Sequence, residues 1–498
     1  MGDGETVVAA GDGARRDRDA PVTETADATT SKDVAAAVDR ARDAFTSWGR
    51  LPFAERAAHL RRVRRHLLDR VDEVVETIAA STNKLPTEAV VTEVLTTCEL
   101  IEWYVRHGAA ALRPTRVPSG LLLAHKRAEK RYEPLGVVGV ISPWNYPFVL
   151  TMTPVVTALF AGNTVVLKPS EITPDVGALA ARLFADADTG DHPDIVQAVI
   201  GGPEVGEALV RSGVQKIVFT GSVATGKRVM KAAADTLTPV LLELGGKDPF
   251  VVDADADVER AARAAVWGAF SNAGQTCMAV ERAYVVDAVY DGFVARVVDL
   301  TAKVRPGRDI GTMTHEGQVR IVEDHVADAE ERGARVVVGG KREPGSLAFP
   351  PTVLLDVDHS MKVMRDETFG PVLPIMRVGD RAEALRLAND SPYGLNASVW
   401  ARDKDSVEEM VSGIEAGNVC VNDCIVSFAI PALPYGGVKD SGMGRTHGAE
   451  GLWEMSAIKA VAVDRLGLRR EAQWFPLPRL LGRFARGILR LRYGRGRR

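Results

Sequence analysis

Apolar residues recur at helical spacing from Asp33 onward. Val34, Val38, Ala41 and Phe45 fall on one face and Trp48 follows, which predicts an amphipathic helix. Further helices are predicted over about residues 53–68, 72–80 and 88–107. At Val137 the texture changes. Short continuous apolar runs at 137–141, 164–167, 195–200, 216–219 and 240–242 alternate with helical stretches near 173–186, 203–212 and 224–234. Strands that are apolar on both faces belong to a parallel sheet covered by helices. A second α/β segment runs from about residue 247. It holds a helical run over 258–270, a strand over 282–286, helices near 287–303 and 315–332, strands around 335–338 and 352–355, and strand, helix, strand over 399–421. Two short strands are expected around 121–124 and 130–133, and a last one over 457–463. The predicted fold class is α/β: a parallel-sheet domain, a second α/β domain and a small β element.

Composition adds limits. With 46 % apolar and 26 % charged residues the chain is an ordinary globular one, and 498 residues call for more than one core. The four cysteines, Cys98, Cys277, Cys420 and Cys424, form no C-x-x-C pair and no disulfide framework. A reducing, cytoplasmic setting is expected, and no metal site. No apolar run reaches the roughly 18 residues of a membrane span. Residues 1–32 are acidic and rich in Gly and Ala, without the apolar stretch of a signal peptide, and read as disordered. Met1 to Thr6 fits an N-myristoylation pattern formally. Charge is unevenly spread: residues 465–498 carry +10 and the rest −14, giving the net −4.

The candidate chemistry lies where helices and strands meet. Cys277 sits on a short polar turn between the 258–270 helix and the next strand, a place for meeting a ligand, although a lone cysteine is more often a small buried apolar residue. Polar clusters stand at the carboxyl ends of the parallel strands, where such sheets bind ligands: Trp144-Asn145, Lys168-Pro169-Ser170-Glu171, Thr220-Gly221-Ser222 and Glu243-Leu244-Gly245-Gly246. Gly221 to Lys227 matches most of a phosphate-binding P-loop, but Arg228 stands where a magnesium-binding hydroxyl is needed. The Gly221-Ser222 turn can still meet a pyrophosphate with backbone N–H groups. Lys168 and Glu171 suit ribose hydroxyls, and Glu171 would repel a 2′-phosphate; a solvated charge pair is the plain alternative. Glu243, buried at a strand end, is a candidate base for activating water or else a helix cap. Asn145 can donate to an oxyanion, as can the Cys277 N–H, or it is a turn asparagine.

Together these residues resemble the aldehyde dehydrogenase superfamily, from about residue 33 to 464. The motifs are Pro143-Trp144-Asn145-Tyr146-Pro147, Lys168-Pro169-Ser170-Glu171, Phe219-Thr220-Gly221-Ser222, Glu243-Leu244-Gly245-Gly246-Lys247, Gly274-Gln275-Thr276-Cys277 and Glu367-Thr368-Phe369-Gly370-Pro371. Residues 271–277, 389–400 and 444–452 are most similar to bacterial succinate-semialdehyde dehydrogenases. The resemblance implies Cys277 as nucleophile, Asn145 and the Cys277 N–H as oxyanion donors, and Glu243 as the base that hydrolyses a thioester. It implies a cofactor site drawn from Trp144, Lys168, Ser170, Glu171, Gly221, Ser222, Leu244, Glu367 and Phe369. Glu171 points to NAD, with NADP the less favoured alternative. It also implies a division into an NAD-binding domain (33–115 and 135–245), a catalytic domain (246–445) and a bridging element (116–134 and 446–464) that makes a homodimer or homotetramer. A CoA-acylating reaction is disfavoured because Glu243 is present, and a non-catalytic scaffold because Cys277, Glu243 and Asn145 are intact.

Two departures from that pattern bear on substrate and on any proton path through the site. Thr153 stands where succinate-semialdehyde enzymes carry an Arg for the carboxylate, and Pro154 and Thr446 stand where a Lys and a Glu are common. With Val149, Leu150 and Met152 nearby, an apolar aldehyde is the better expectation. The tail, 465–498, extends beyond the resemblance. Leu477, Leu480, Leu481, Phe484, Ile488 and Leu491 fall on one helical face and Arg479, Arg483, Arg486 and Arg490 on another. Over 474–492 this is the pattern of an interfacial helix on the anionic inner face of a membrane. A helix packed on its own oligomer is the equal alternative; nucleic-acid binding is not expected.

Overall fold

The computed structural model describes residues 29–188, 190, 192–471 and 473–494. The acylation pattern at Met1 to Thr6 and most of the expected disordered segment therefore lie outside the described residues. The helix begins earlier than the pattern indicated, at Ser31, because Thr30 and Asp33 form a capping box ahead of it.

Three sheets organise the chain. The first has the order 442–443, 240–243, 216–220, 137–141, 164–168, 196–198, and only its edge strand Gly442–Met443 runs antiparallel. That edge strand comes from the stretch expected to be catalytic, so the two larger parts are joined here by backbone pairing. Strand order reverses beside Val137–Ile141, which pairs with Thr164–Lys168 on one side and Lys216–Thr220 on the other. Ligands of open parallel sheets bind at such a reversal, and the loops after 141 and 220 carry Trp144-Asn145 and Gly221-Ser222. The second sheet has the order 335–338, 352–355, 372–378, 280–286, 248–252, 396–400, 418–421, antiparallel only at its first pair. The third is a three-stranded antiparallel sheet of 115–117, 126–134 and 456–464.

The helix Val149–Ala161 shows how burial follows pattern. It is apolar on all sides and buried at every position except Leu150, as a helix inside a core must be. Its N-terminal N–H groups, which have no acceptor within the helix, are met by a buried carboxylate: Glu93 Oε2 accepts from Phe148 N at 2.8 Å and Val149 N at 3.2 Å. Glu93 is itself paired with Lys84 Nζ at 2.5 Å, both side chains fully buried.

Several elements differ from the sequence pattern. Residues 121–124, expected to be a strand, include a 3₁₀ turn, Leu121–Leu123. The helix expected over 88–107 runs from Pro86 to Leu112 and contains two π-helical stretches, Val90–Leu95 and Tyr104–Gly108. Of residues 195–200 only Val196–Ala198 pair as a strand. The tail does form a helix, Leu481–Tyr493. Before it, Glu471 is buried and holds the chain to the small sheet through Lys126 and through His125 Nε2 at 3.1 Å. Among the described residues, no helix is long and apolar enough to cross a membrane.

Candidate active site

Cys277 is delivered by a strained turn. Asp257 caps the helix Val258–Phe270 by accepting from Arg260 N at 3.1 Å, and Ala261, Ala262, Ala265, Val266 and Ala269 bury its inner face. The helix ends where Ser271 Oγ donates to Trp267 O at 2.7 Å. Asn272 and Ala273 then both adopt the left-handed conformation, φ 53°, at a cost of about 1–3 kcal/mol each. Side-chain contacts offset this. Asn272 Nδ2 donates to Asn145 O at 3.0 Å and Gln275 O at 3.1 Å, its N–H donates to the Glu88 carboxylate, and Gln275 Oε1 accepts from Thr314 N at 2.9 Å. Gly274 lies so close to the backbone of Gly370 that a Cβ there would sit 2.1 Å from the Gly370 oxygen, so no other residue fits.

Burial pushes the Cys277 thiol up to about 12, opposed by a hydrogen bond from Tyr435. The Tyr435 hydroxyl is 3.8 Å from Sγ. Asn145 is buried beside it; one amide N–H is engaged by Gln275 O at 3.0 Å and the other remains available. The Cys277 N–H has no acceptor among the described residues. Glu243, at the end of Val240–Glu243, is buried, and neither carboxylate oxygen has a hydrogen-bond partner among the described residues. Desolvation pushes its pKa well above the usual carboxylate range, with Arg445 pulling the other way. Glu243, Cys277, Thr153, Tyr435 and Thr446 line one small cavity. Thr153 Oγ1 is buried there without a partner, and Thr446 Oγ1 donates to Tyr435 O at 3.3 Å.

Two further cavities meet at Cys277, and Leu150 lines both. One, of about 180 Å³, runs inward from Val91 and Trp267 past Tyr146, Val149, Leu150, Ile425, Val426 and Phe428, and no charged side chain lines it. The other, of about 240 Å³, is lined by Trp144, Asn145, Gly221, Ser222, Glu243, Leu244, Glu367 and Phe369. It opens between the first two sheets. Ser222 caps the helix Val223–Ala234, its Oγ accepting from Thr225 N at 3.3 Å, so a helix N-terminus faces the cavity as an anion site requires. Glu367 accepts from Gly246 N at 3.1 Å, and burial with Glu281 nearby pushes it up to about 8. Phe369, at φ 51°, meets the Trp144 ring edge-on at 5.4 Å. Glu281 fixes this loop by accepting from Thr368 N and Phe369 N at 2.9 Å each and from Lys247 Nζ at 2.5 Å. Lys168, Ser170 and Glu171 do not line this cavity; they stand at the end of the next strand along the same carboxyl edge, with Lys168 Nζ 2.7 Å from Glu171 Oε2. Burial works against the ionised Glu171, but the Lys168 bond and its own N–H prevail and hold its pKa below the ordinary value. The cavity, the capped helix and the carboxylate-bearing ribose corner fit a nicotinamide dinucleotide.

Tyr435, Phe428, Glu88 and the Lys84–Glu93 pair were not singled out from the sequence. They lie far from Cys277 in the chain and carry no motif. Lys84 Nζ reaches Asn145 O at 3.2 Å and lies over the Tyr146 ring at 3.9 Å, and Tyr146 in turn bonds Thr276 at 2.8 Å.

A cavity with a helix N-terminus at its rim, a half-buried cysteine and a buried carboxylate at the seam of two α/β sheets define a dehydrogenase-type site. The chain belongs to the aldehyde dehydrogenase family, whose model matches residues 16–461, and it is an oxidoreductase acting on aldehydes. It is 44 % identical over 444 residues to 4,4'-diapolycopene aldehyde oxidase of Methylomonas sp, covering 88 % of this chain and 83 % of that protein. Among solved structures it matches succinate-semialdehyde dehydrogenase from Burkholderia pseudomallei at TM-score 0.83 and 34 % identity, over 87 % of this chain and 90 % of that one. It matches an NADP-dependent enzyme of E. coli at TM-score 0.83 and 36 % identity, over 87 % and 90 %.

Proposed function

We propose that this protein oxidises a medium- or long-chain apolar aldehyde to its carboxylic acid, with NAD as acceptor, through a thioester on Cys277. The observation that carries the substrate reading is the tunnel to Cys277 without a charged lining residue. A succinate semialdehyde carboxylate would be desolvated there without a partner, which is costly, and Thr153 supplies no cation. The name of the Methylomonas relative, an oxidase of an apolar aldehyde, agrees; the succinate-semialdehyde names among the relatives favour the other substrate.

The Cys277 thiol first loses its proton to solvent, and the Tyr435 hydroxyl donates to the sulfur as it does so. The Cys277 thiolate attacks the aldehyde carbonyl carbon. The oxygen that becomes negative is met by the Cys277 N–H and the free N–H of Asn145. A nicotinamide cofactor, held at Ser222, Glu367, Phe369, Lys168 and Glu171, supplies the hydride acceptor when bound. Glu243 then removes a proton from water as the water oxygen adds to the thioester carbon, and Cys277 leaves as thiolate. The unpartnered, desolvated carboxylate of Glu243 holds a proton more readily than an ordinary carboxylate, as a general base for water must. Glu171 beside the ribose corner supports NAD over NADP. A homo-oligomer built through the three-stranded sheet is part of the same reading.

The test follows reduced-cofactor formation against linear aldehydes of increasing length and succinate semialdehyde, with Cys277→Ala as control. Each methylene that enters the tunnel is expected to raise kcat/KM by about fourfold, from ~0.8 kcal/mol per buried methylene, until the tunnel is filled. A clear preference for succinate semialdehyde overturns the substrate reading.

A further inference from the structure

We infer that this protein works against an anionic lipid surface, from which its tunnel receives the substrate. The inference rests on the apolar-aldehyde reading for its purpose, but two surface features carry it.

The first is the rim of the tunnel. Val91 and Trp267, which line its outer end, are 53 % and 49 % exposed. Val90, Leu95 and Ile430, next to or one turn from lining residues, are exposed too. Isolated apolar residues on a surface are ordinary, whereas several around one opening mark a place that meets an apolar phase.

The second is the tail helix Leu481–Tyr493, of which no residue is buried. Leu481, Phe484, Ile488 and Leu491 form one stripe, and Arg483, Arg486 and Arg490 lie opposite. Phe484 and Leu491 are exposed, as are Trp474 and Phe475 ahead of the helix. Residues 472–498 contain eight Arg and no acidic residue. The body carries −14, yet Arg483, Arg486 and Arg490 make no ion pair with it among the described residues. Among the described residues the helix thus buries no side chain against its own subunit, while the chain just before it is tied down at Glu471. A lipid interface satisfies both faces at once, taking the apolar stripe to the acyl boundary and the Arg face to anionic headgroups. An acidic body alone would be repelled from such a surface, so the tail is the element that holds the chain against it.

The test uses the full chain and the variant Phe484→Glu/Leu491→Glu, whose changes lie outside the catalytic residues. Both are sedimented with vesicles of phosphatidylcholine, with and without phosphatidylglycerol. The parent is expected to pellet with the anionic vesicles only and to be released by high salt, with the variant at least tenfold less bound. Short-chain aldehyde turnover in solution is expected to be equal in the two. A long aldehyde dissolved in anionic vesicles should be oxidised faster by the parent than by the variant. Equal sedimentation of both proteins overturns the inference. So does a fall in oligomer size in the variant without any vesicle binding by the parent, which would make the helix a contact between copies. Failure to oxidise a long aldehyde in detergent, with vesicle binding intact, overturns the substrate reading and leaves the lipid contact standing.

Discussion

The Tyr435 hydroxyl lies 3.8 Å from Cys277 Sγ and is the hydrogen-bond partner that the sulfur has among the described residues. Everything else around the thiol raises its pKa: burial first, then the negative ends of Asp248, Glu367 and Glu243. A half-buried thiol with that one donor among the described residues depends on it.

Tyr435→Phe removes it while keeping the ring that packs on Phe428 at 5.0 Å. Hydrogen bonds to charged groups contribute about 1.5–3 kcal/mol. Alkylation of Cys277 by iodoacetamide near neutral pH is therefore expected to slow by about tenfold or more, and its pH profile to move to higher pH. An unchanged profile would show that the hydroxyl only fills space.

Glu243→Gln separates chemistry from stability. The variant is expected to release one equivalent of reduced cofactor per subunit and then stall, with the acyl group trapped on Cys277, as seen by intact-protein mass. Stability moves the other way. The Glu243 pKa is raised on folding, so the native state holds a proton that the unfolded state has lost once pH exceeds the ordinary carboxylate value of 4.5. Stability contributed by the protonated form is therefore complete below that pH and lost as pH rises toward the folded pKa. Gln cannot ionise, so the Tm of the variant should exceed that of the parent at pH 8 and match it near pH 4.5. The opposite ordering would mean that Glu243 is ionised and well paired in the folded chain.

Glu171→Gln tests the cofactor reading. Loss of the carboxylate next to Lys168 removes the repulsion of a 2′-phosphate, so the ratio of kcat/KM for NADP to that for NAD should rise at least tenfold. A ratio that does not move would place cofactor choice elsewhere.

Lys84→Met breaks a fully buried ion pair. Removing one partner of such a pair typically costs 3–5 kcal/mol, and here the two N–H bonds that Glu93 keeps from Phe148 and Val149 place the loss at about 3 kcal/mol. Urea unfolding should show it. The same variant should also lower activity, because Lys84 Nζ holds the carbonyl of Asn145.

The parallel sheet was legible because its strands are apolar on both faces, a pattern that few other elements share. The candidate site motifs were legible for a related reason: Asn145, Gly221, Ser222 and Glu243 interrupt those apolar runs at their carboxyl ends. Cys277 stood out as a cysteine on a polar turn. The boundaries that went astray have a common cause, since Leu121 to Leu123 have the apolar character of a strand but a left-handed Gly120 ahead of them, φ 76°, turns the chain. Tyr435 and the Lys84–Glu93 pair were not legible. They approach the site only through the packing of segments far apart in the chain, and a buried ion pair looks like any two charges until its surroundings are known.

Gly274 and Gly370 touch through backbone atoms alone, with no side chain between them to yield. The turn that carries the nucleophile and the loop that carries Glu367 and Phe369 are consequently in register with each other by contact. A shift of the cofactor loop of a few tenths of an ångström must be passed to the turn or open a gap beneath it. The sulfur therefore takes its aim from the loop opposite, and the reactivity of Cys277 becomes a readout of how that loop is seated.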